Sequence, residues 1–567
     1  MSETKQQNRE PAPSVRRGGA AAAVGGLVAA GAGLAAAEVA AVPVGPAAAP
    51  LTAVGGAVID LVPRPLKEFA VQAFGTTDKA VLLGGMIAVL AVAAALVGAA
   101  ARRRPWVGGA GAGALAAVAA VAALSRPDAG PLAVLPALLG GAAAYLVLRL
   151  LLHAVGPPAR SAEPERGAGG TRGTGAEPTG EESGGEEPAE AEPAGAAAGA
   201  GPGEGFDRRR FVLLAGAAAA VSAGAAAGAR AYASRTGAGA EQSMRFALPR
   251  PASPARPVPD GADLEIAGLA PFFTPTEDFY RIDTALAVPR IDAGRWSLRL
   301  HGAGARERVF TFRDLLDRSD LAERDITLTC VSNPVGGSYA GNARWIGVPL
   351  AALLREAGVR PPSEGGPADQ LVSRSSDGMT IGTPVEDVMD GRDALLALGM
   401  NGRPLPAEHG FPVRMVVPGL YGYVSACKWL TELELTTFDA FDAYWVPRGW
   451  SARGPIKVQS RIDTPRDGAS AGPGGVTVAG VAWAQHTGIG RVEVRVDGGA
   501  WREARLAEEA TADTWRQWVF DWEGAEPGEH VLAVRATTAD GRVQTAREAP
   551  PAPDGATGHH EVRVTVA

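Results

Sequence analysis

Cysteine is almost absent from this 567-residue chain. The two present, Cys330 and Cys427, exclude a disulfide framework and any cysteine-rich zinc or iron–sulfur centre built by this chain alone. A single disulfide between them stays compatible with the sequence. Histidine is sparse as well, and the seven residues form neither an HxxxH nor an HExxH array, which argues against a histidine-built metal site. There is no surplus of positive charge either. A formal net charge of −7 and a pI near 5.7 argue against a nucleic-acid partner, which would need a basic footprint. Lysine is scarce while Ala, Gly, Pro and Arg dominate, as in GC-rich bacterial coding, and the abundant Ala blurs periodicity. The length allows two or three domains with additions.

What the chain does have is apolar blocks in its first third. Ala20–Val42, Ala80–Ala101, Val107–Leu124 and Leu132–Leu152 each have the length needed to cross ~30 Å of hydrocarbon. Their small residues suit close helix packing in a membrane. Arg16-Arg17, Arg102-Arg103-Arg104, and Arg149 with Arg160 all fall on one side of a four-span arrangement, the cytoplasmic side by the positive-inside rule. Residues 1–156 are therefore expected to be a four-span membrane region, its loop near Leu51–Phe74 open to an interfacial helix. Residues 157–205 are rich in Gly, Pro, Ala and Glu, cannot bury a core, and are expected to be a disordered acidic linker. In 206–232, Arg208-Arg209-Arg210-Phe211-Val212 precedes an Ala/Gly run and resembles a twin-arginine export signal retained as a fifth span. An ordinary fifth span has the same consequence: the remainder of the chain lies outside the membrane. Residues 233–262 read as a Pro-rich spacer.

From Leu264 onward aromatic, charged and apolar residues mix as in a globular domain. The stretch Ile326–Leu350 stands out. Ile326, Leu328 and Cys330 alternate as a strand, a Gly/Ser/Asn-rich loop comes next, and Arg344-Trp345 leads to a helix start at Leu350. A strand ending in cysteine places a sulfur at the mouth of a sheet, where loops mount chemistry. Metal ligation, nucleophilic catalysis and simple burial all remain open for that sulfur. Trp296–Leu300 and Val309–Phe312 alternate as strands, and Thr311 opens a helix as its cap. His409 and Arg414 bracket a Gly-Phe-Pro turn, a spacing that suits either a phosphate clamp or a surface pair. Short strands and helices together predict an α+β domain over 263–450.

Five segments in this order resemble the molybdopterin-dependent oxidoreductases of the sulfite oxidase family. They are Phe279-Tyr-Arg-Ile-Asp283, Cys330-Val-Ser-Asn333, Ala343-Arg-Trp-Ile-Gly-Val-Pro-Leu350, His409-Gly-Phe-Pro-Val-Arg414, and Gly422 through Lys428-Trp-Leu430. The resemblance implies the molybdenum–molybdopterin cofactor, with Cys330 as a catalytic thiolate ligand of the metal. It implies that Arg281 orients an anionic substrate, and that His409, Arg414, Ser425 and Lys428 contact the pterin, with Asp283 and Asn333 as further cofactor-binding positions. It also implies two-electron oxygen-atom transfer on a small oxyanion, or on an S- or N-oxide. No haem domain is evident and His153 is the only histidine in residues 1–156, so electrons are expected to pass to a separate cytochrome or quinone-linked partner.

The departures bear on the substrate. Pro334 and Val335 stand where sulfite oxidases place arginine, Asp283 where they often carry histidine, and Val424 and Cys427 where basic or small polar residues are usual. Reduction of sulfoxides or related oxides therefore competes with sulfite oxidation. Cys427 reads as a packed small residue. Residues 451–567 alternate as short strands between Gly turns, as in Gly490-Arg-Val-Glu-Val-Arg-Val-Asp-Gly-Gly, and predict an all-β Ig-like sandwich. In the family this region implies dimerisation, hence a homodimer. The expected whole is a membrane-anchored bacterial form: a multi-pass cell-membrane protein with its catalytic domain on the extracytoplasmic side. A non-catalytic envelope binding protein is the competing class.

Overall fold

The computed structural model describes residues 13–45, 48–63, 66, 78–126, 129–155, 207–236 and 246–567. The acidic linker expected over 157–205 lies outside the described residues, as does part of the spacer. Contacts divide the chain into two compact units: 1–37, 87–117 and 138–226 in one, and 38–86, 118–137 and 227–567 in the other.

The four apolar blocks are helices: α1 (Pro13–Ala41), α3 (Asp78–Ala101), α4 (Trp106–Leu124) and α5 (Leu135–Val155), with a short α2 (Pro50–Leu61) between the first two and α6 (Arg208–Thr236) beyond. Among the described residues, five helical stretches are long and apolar enough to cross a membrane: Gly18–Ala41, Lys79–Ala101, Trp106–Leu124, Pro131–Val155 and Arg208–Gly228. In the first unit glycines set the packing distance. A Cβ on Gly26 would lie 2.1 Å from the carbonyl oxygen of Ala94, and one on Gly33 would lie 2.7 Å from that of Gly140. Backbones this close leave no room for a side chain, the small-residue packing by which membrane helices associate. Gly26→Leu is accordingly expected to separate α1 from α3, costing about 3 kcal/mol by overpacking, and a lowered thermal midpoint of the solubilised protein would report it. At the start of α6, the Asp207 carboxylate accepts from the Arg210 backbone N–H at 2.9 Å, capping the helix, and Phe211 packs on Leu151, Ala154 and Val155.

The second unit holds two five-stranded sheets that share one core. The first has the order β2–β1–β10–β5–β6, formed by β1 (Ser297–Gly302), β2 (Arg308–Thr311), β5 (Gln370–Ser375), β6 (Thr380–Pro384) and β10 (Leu430–Thr436). The second runs β3–β4–β7–β8 with β9 also on β7: β3 (Ala322–Thr329), β4 (Ala340–Pro349), β7 (Leu395–Met400), β8 (Arg403–Pro404) and β9 (Arg414–Val416). Leu298, Leu300, Ile326, Leu328, Trp345, Leu396 and Leu433 are among the side chains buried between them. Short helices cap strand ends, as at Thr311, whose side chain and Asp314 form a reciprocal capping box.

The loop after Cys330 is shorter than the residue types suggest. β4 begins at Ala340 and pairs Thr329 with Ala340 and Ile326 with Ala343, so Gly341 and Asn342 are strand residues. Both have packing reasons. Asn342 is fully buried and donates to the Phe272 carbonyl at 2.9 Å, while a Cβ on Gly341 would strike the Phe279 ring at 2.8 Å.

C-terminal to this, two sheets enclose a second core. One has the order β11–β13–β17–β16, from β11 (Gln459–Thr464), β13 (Gly475–Trp483), β16 (Arg505–Leu506) and β17 (Arg516–Glu523). The other has the order β12–β19–β18–β14–β15, from β12 (Ala469–Ala471), β14 (Ile489–Val496), β15 (Arg502–Glu503), β18 (Gly528–Thr538) and β19 (His560–Val566). Val478, Trp518 and Phe520 from one sheet meet Val492, Val534 and Val564 from the other, as period-two burial requires. This sandwich braces the cysteine strand: Gln485 donates to the Thr327 carbonyl at 2.9 Å and to the Thr329 hydroxyl at 3.1 Å.

Candidate active site

Cys330 comes directly after the last residue of β3 and is buried, its backbone N–H donating to the Tyr339 carbonyl at 2.9 Å. Its sulfur lies 2.9 Å from the Ser332 hydroxyl. Burial pushes the thiol up, and the Ser332 hydrogen bonds and the Lys428 charge pull against that. The sulfur lines a cleft of ≈ 1040 Å³, together with Tyr280, Arg281, Asp283, His409, Arg414, Cys427 and Lys428.

Each polar wall has a local cause. Arg414 opens β9 and is buried, its guanidinium stacked 4.9 Å from the centre of the Trp345 ring. One of its terminal N–H groups donates to the His409 carbonyl at 3.3 Å, while its Nε has no hydrogen-bond partner among the described residues. Burial lowers its pKa to about 10, which leaves it a cation at neutral pH. His409 donates from Nε2 to the Thr276 carbonyl at 3.0 Å, and burial with the Arg414 charge lowers its pKa to about 4, so the ring is neutral. Gly410, at φ 106°, permits the turn: a Cβ there would stand 3.0 Å from that of Lys428. Trp429 holds a left-handed φ of 52°, a strained conformation for a bulky residue, and its indole N–H donates to the Ala407 carbonyl at 2.7 Å. That anchored turn fixes the backbone from which Lys428 reaches Asp283.

Asp283 is the hub. Its carboxylate, 3% exposed, receives Lys428 at 2.6 Å, Lys79 at 2.6 Å and Arg281 Nε at 2.8 Å. Burial alone would raise its pKa, but Lys428, Arg281 and Lys79 outweigh burial and hold the carboxyl well below the usual range. Burial lowers Lys428 to about 8 against the pull of Asp283. Three cations on one carboxylate leave the cluster positive.

The sequence-expected residues divide. Cys330, Arg281, Asp283, His409, Arg414 and Lys428 converge on the cleft. Asn333 and Ser425 do not line it. Asn333 is buried and accepts from the Tyr339 N–H at 2.8 Å, bracing the cysteine loop. Ser425 is fully buried and its hydroxyl donates to the Leu420 and Tyr421 carbonyls at 3.1 Å, within its own turn. Pro334 and Val335 also stay off the cleft, while Cys427, pushed up to about 12 by burial, lines its wall. Lys79 and Tyr280 were not singled out by sequence reasoning. Lys79 opens an apolar helix 204 positions from its partner, and no local pattern marks that pairing.

The contents of the cleft fit a phosphate-bearing organic cofactor with a thiophilic metal. A buried arginine that stays charged, with no carboxylate paired to it among the described residues, suits an anion, and a sulfur at the cleft wall is a soft donor. Arg414→Met is expected to remove that anion site and lower the pterin content of the purified protein by about tenfold, read by oxidised-pterin fluorescence.

The description "Oxidoreductase molybdopterin binding domain" matches residues 285–445, so this region is a molybdopterin-binding oxidoreductase domain. Chicken (Gallus gallus) sulfite oxidase is 32% identical over 302 residues, covering 46% of this chain and 64% of that one. The mouse (Mus musculus) mitochondrial enzyme is 31% identical over 288 residues, covering 44% and 52%. Tomato (Solanum lycopersicum) nitrate reductase [NADH] is 31% identical over 180 residues, covering 28% and 19%. Through this domain the chain is similar to the sulfite oxidases and, over a shorter stretch, to a nitrate reductase. It spans about half to two thirds of the length of the sulfite oxidases it matches. Among solved structures, the sulfane dehydrogenase SoxCD of Paracoccus pantotrophus is 25% identical with a TM-score of 0.45, covering 52% of this chain and 81% of that one.

Proposed function

We propose that this chain is a membrane-anchored, extracytoplasmic molybdenum-cofactor oxidoreductase that catalyses oxygen-atom transfer in the manner of a sulfite oxidase. The observation that carries the reading is the buried, partly unpartnered Arg414 in the same cleft as the Cys330 sulfur. Bound there, the cofactor supplies two-electron oxygen-atom transfer, with water as the source or sink of oxygen. Cys330 supplies the protein's sulfur ligand. Arg414 and Lys428 hold the pterin phosphate, the arginine as a planar fork, while neutral His409, whose one N–H goes to the Thr276 carbonyl, offers the pterin its Nδ1 as an acceptor. Arg281, a third exposed, attracts and orients an anionic substrate and stabilises charge as oxygen moves. Asp283 keeps the flanking cations charged and in place. Electrons leave for a separate carrier, a cytochrome or a quinone-linked protein.

The five apolar helices support anchoring, and the arginines near the start of α1, between α3 and α4, and at the start of α6 support a catalytic domain outside the membrane, with the last group doubling as a twin-arginine-like signal. The two-sheet sandwich serves, in this reading, as an Ig-like dimerisation domain. Reduction of S- or N-oxides is the second reading, favoured by the uncharged Pro334 and Val335. Steady-state assays in both directions with artificial electron carriers separate the two. Oxidation, assayed with sulfite as the simplest member of the substrate class, is the expected direction, and turnover only as a reductase overturns it.

A further inference from the structure

The cleft over Cys330 extends well beyond its polar floor. At ≈ 1040 Å³ it stands at the upper end of ligand pockets, roughly 300–1,000 Å³. Much of its wall is apolar, with the paired Asp60 and Arg448 as charged exceptions. Val58, Ile59 and Val62 of α2 and its C-terminal end and Leu82 of α3 line it, as do Trp445 and Trp450, whose rings meet edge to face at 6.4 Å. α2 and the start of α3 are held against the catalytic domain by their polar side chains. Asp60 of α2 accepts from the Tyr444 hydroxyl at 2.8 Å, and Lys79 reaches Asp283 at 2.6 Å. Of the cations on the floor, Arg414 and Lys428 are assigned to the cofactor. Lys79 and Arg281, with 26% and 33% of their side chains exposed, share one carboxylate with Lys428.

A positive floor under apolar walls is complementary to an amphiphile. We infer that the ligand of this site carries a sulfur-oxide head on an alkyl or aryl body, with Lys79 supplying head-group charge and α2 supplying the apolar wall. The inference rests on the proposed function and narrows its substrate class. An inorganic oxyanion has no apolar surface to bury, so the walls of α2 and the two tryptophans would contribute nothing to holding it. Lys79 also puts a positive charge at the cleft of a chain that carries Pro334 and Val335 in the cysteine loop. It makes the start of α3 part of the binding site, so Lys79 is a specificity residue.

The test uses the full chain in lipid nanodiscs and the n-alkanesulfonates from methane- to hexanesulfonate, with binding read by calorimetry and by tryptophan fluorescence. Affinity is expected to rise about threefold to fourfold per added methylene. Ile59→Asp is expected to flatten that series, and Lys79→Gln to weaken all members alike by about tenfold, with Lys79→Arg restoring them. A series with no chain-length dependence overturns the inference, as does an unchanged slope in Ile59→Asp. Uncharged alkanols that match the sulfonates would mean a lipid-binding groove, and that result overturns it too. Molybdenum measured on the same preparation keeps the two readings apart. Loaded protein without a slope sinks the ligand class alone, and metal-free protein with a slope sinks the oxidoreductase reading alone.

Discussion

Cys330→Ser is expected to lower turnover by more than about 100-fold while leaving the fold and most of the bound pterin intact. The size comes from the role. Outer-sphere partners of a metal cost about 10–100-fold when changed, and loss of a direct sulfur ligand exceeds that. The separation of effects comes from the geometry. Cys330 is held by its backbone N–H on Tyr339 and by the β3–β4 ladder, neither of which uses the sulfur. Serine is smaller and can keep the contact with the Ser332 hydroxyl, so the stability change stays within about 1 kcal/mol. The groups assigned to the pterin, Arg414, His409 and Lys428, stand on other elements. Turnover, pterin content and thermal midpoint of the variant together check this. Full activity would remove Cys330 from the metal.

Asp283→Ala is expected to be the most destabilising change in the cleft, by about 3 kcal/mol, because it strands Lys428, Lys79 and Arg281 around one buried point. Lys428 suffers most, since its side chain is 10% exposed and its pKa is already depressed by burial. The same carboxylate gives the wild type an acid dependence. Its folded pKa lies below the ordinary value near 4, so its contribution is fully present above that value and is lost as pH falls through the folded pKa. The thermal midpoint of the wild type should therefore fall with acidification below about pH 4, and the Asp283→Ala protein should lose part of that dependence. Equal acid slopes in the two proteins would remove Asp283 from the account.

The parts of this architecture that local chemistry determines were legible in the residues. The apolar blocks are helices, because length and composition decide that without tertiary help. The period-two runs of the C-terminal sandwich are strands, with Val492, Val494 and Trp518 facing inward. Cys330 stands at a strand end, and Thr311 caps a helix as its side-chain chemistry suggests. The illegible parts depend on distant pairing. Gly341 and Asn342 have the look of loop residues, but Phe279 and Phe272 make them strand residues. Asn333 and Ser425 have polar ends that suit a ligand, yet nearby backbone groups satisfy them first. Lys79 has no neighbour in sequence that announces Asp283.

The central claim is that the cleft over Cys330 holds a molybdenum–pterin cofactor. Metal analysis and pterin fluorescence on the full chain, purified from cells supplied with molybdate, test it most directly. Molybdenum and pterin near one per chain, with turnover lost in Cys330→Ser and pterin lost in Arg414→Met, is the result this account predicts. Protein that is folded and free of both would contradict it and would leave a non-catalytic envelope binding protein in its place.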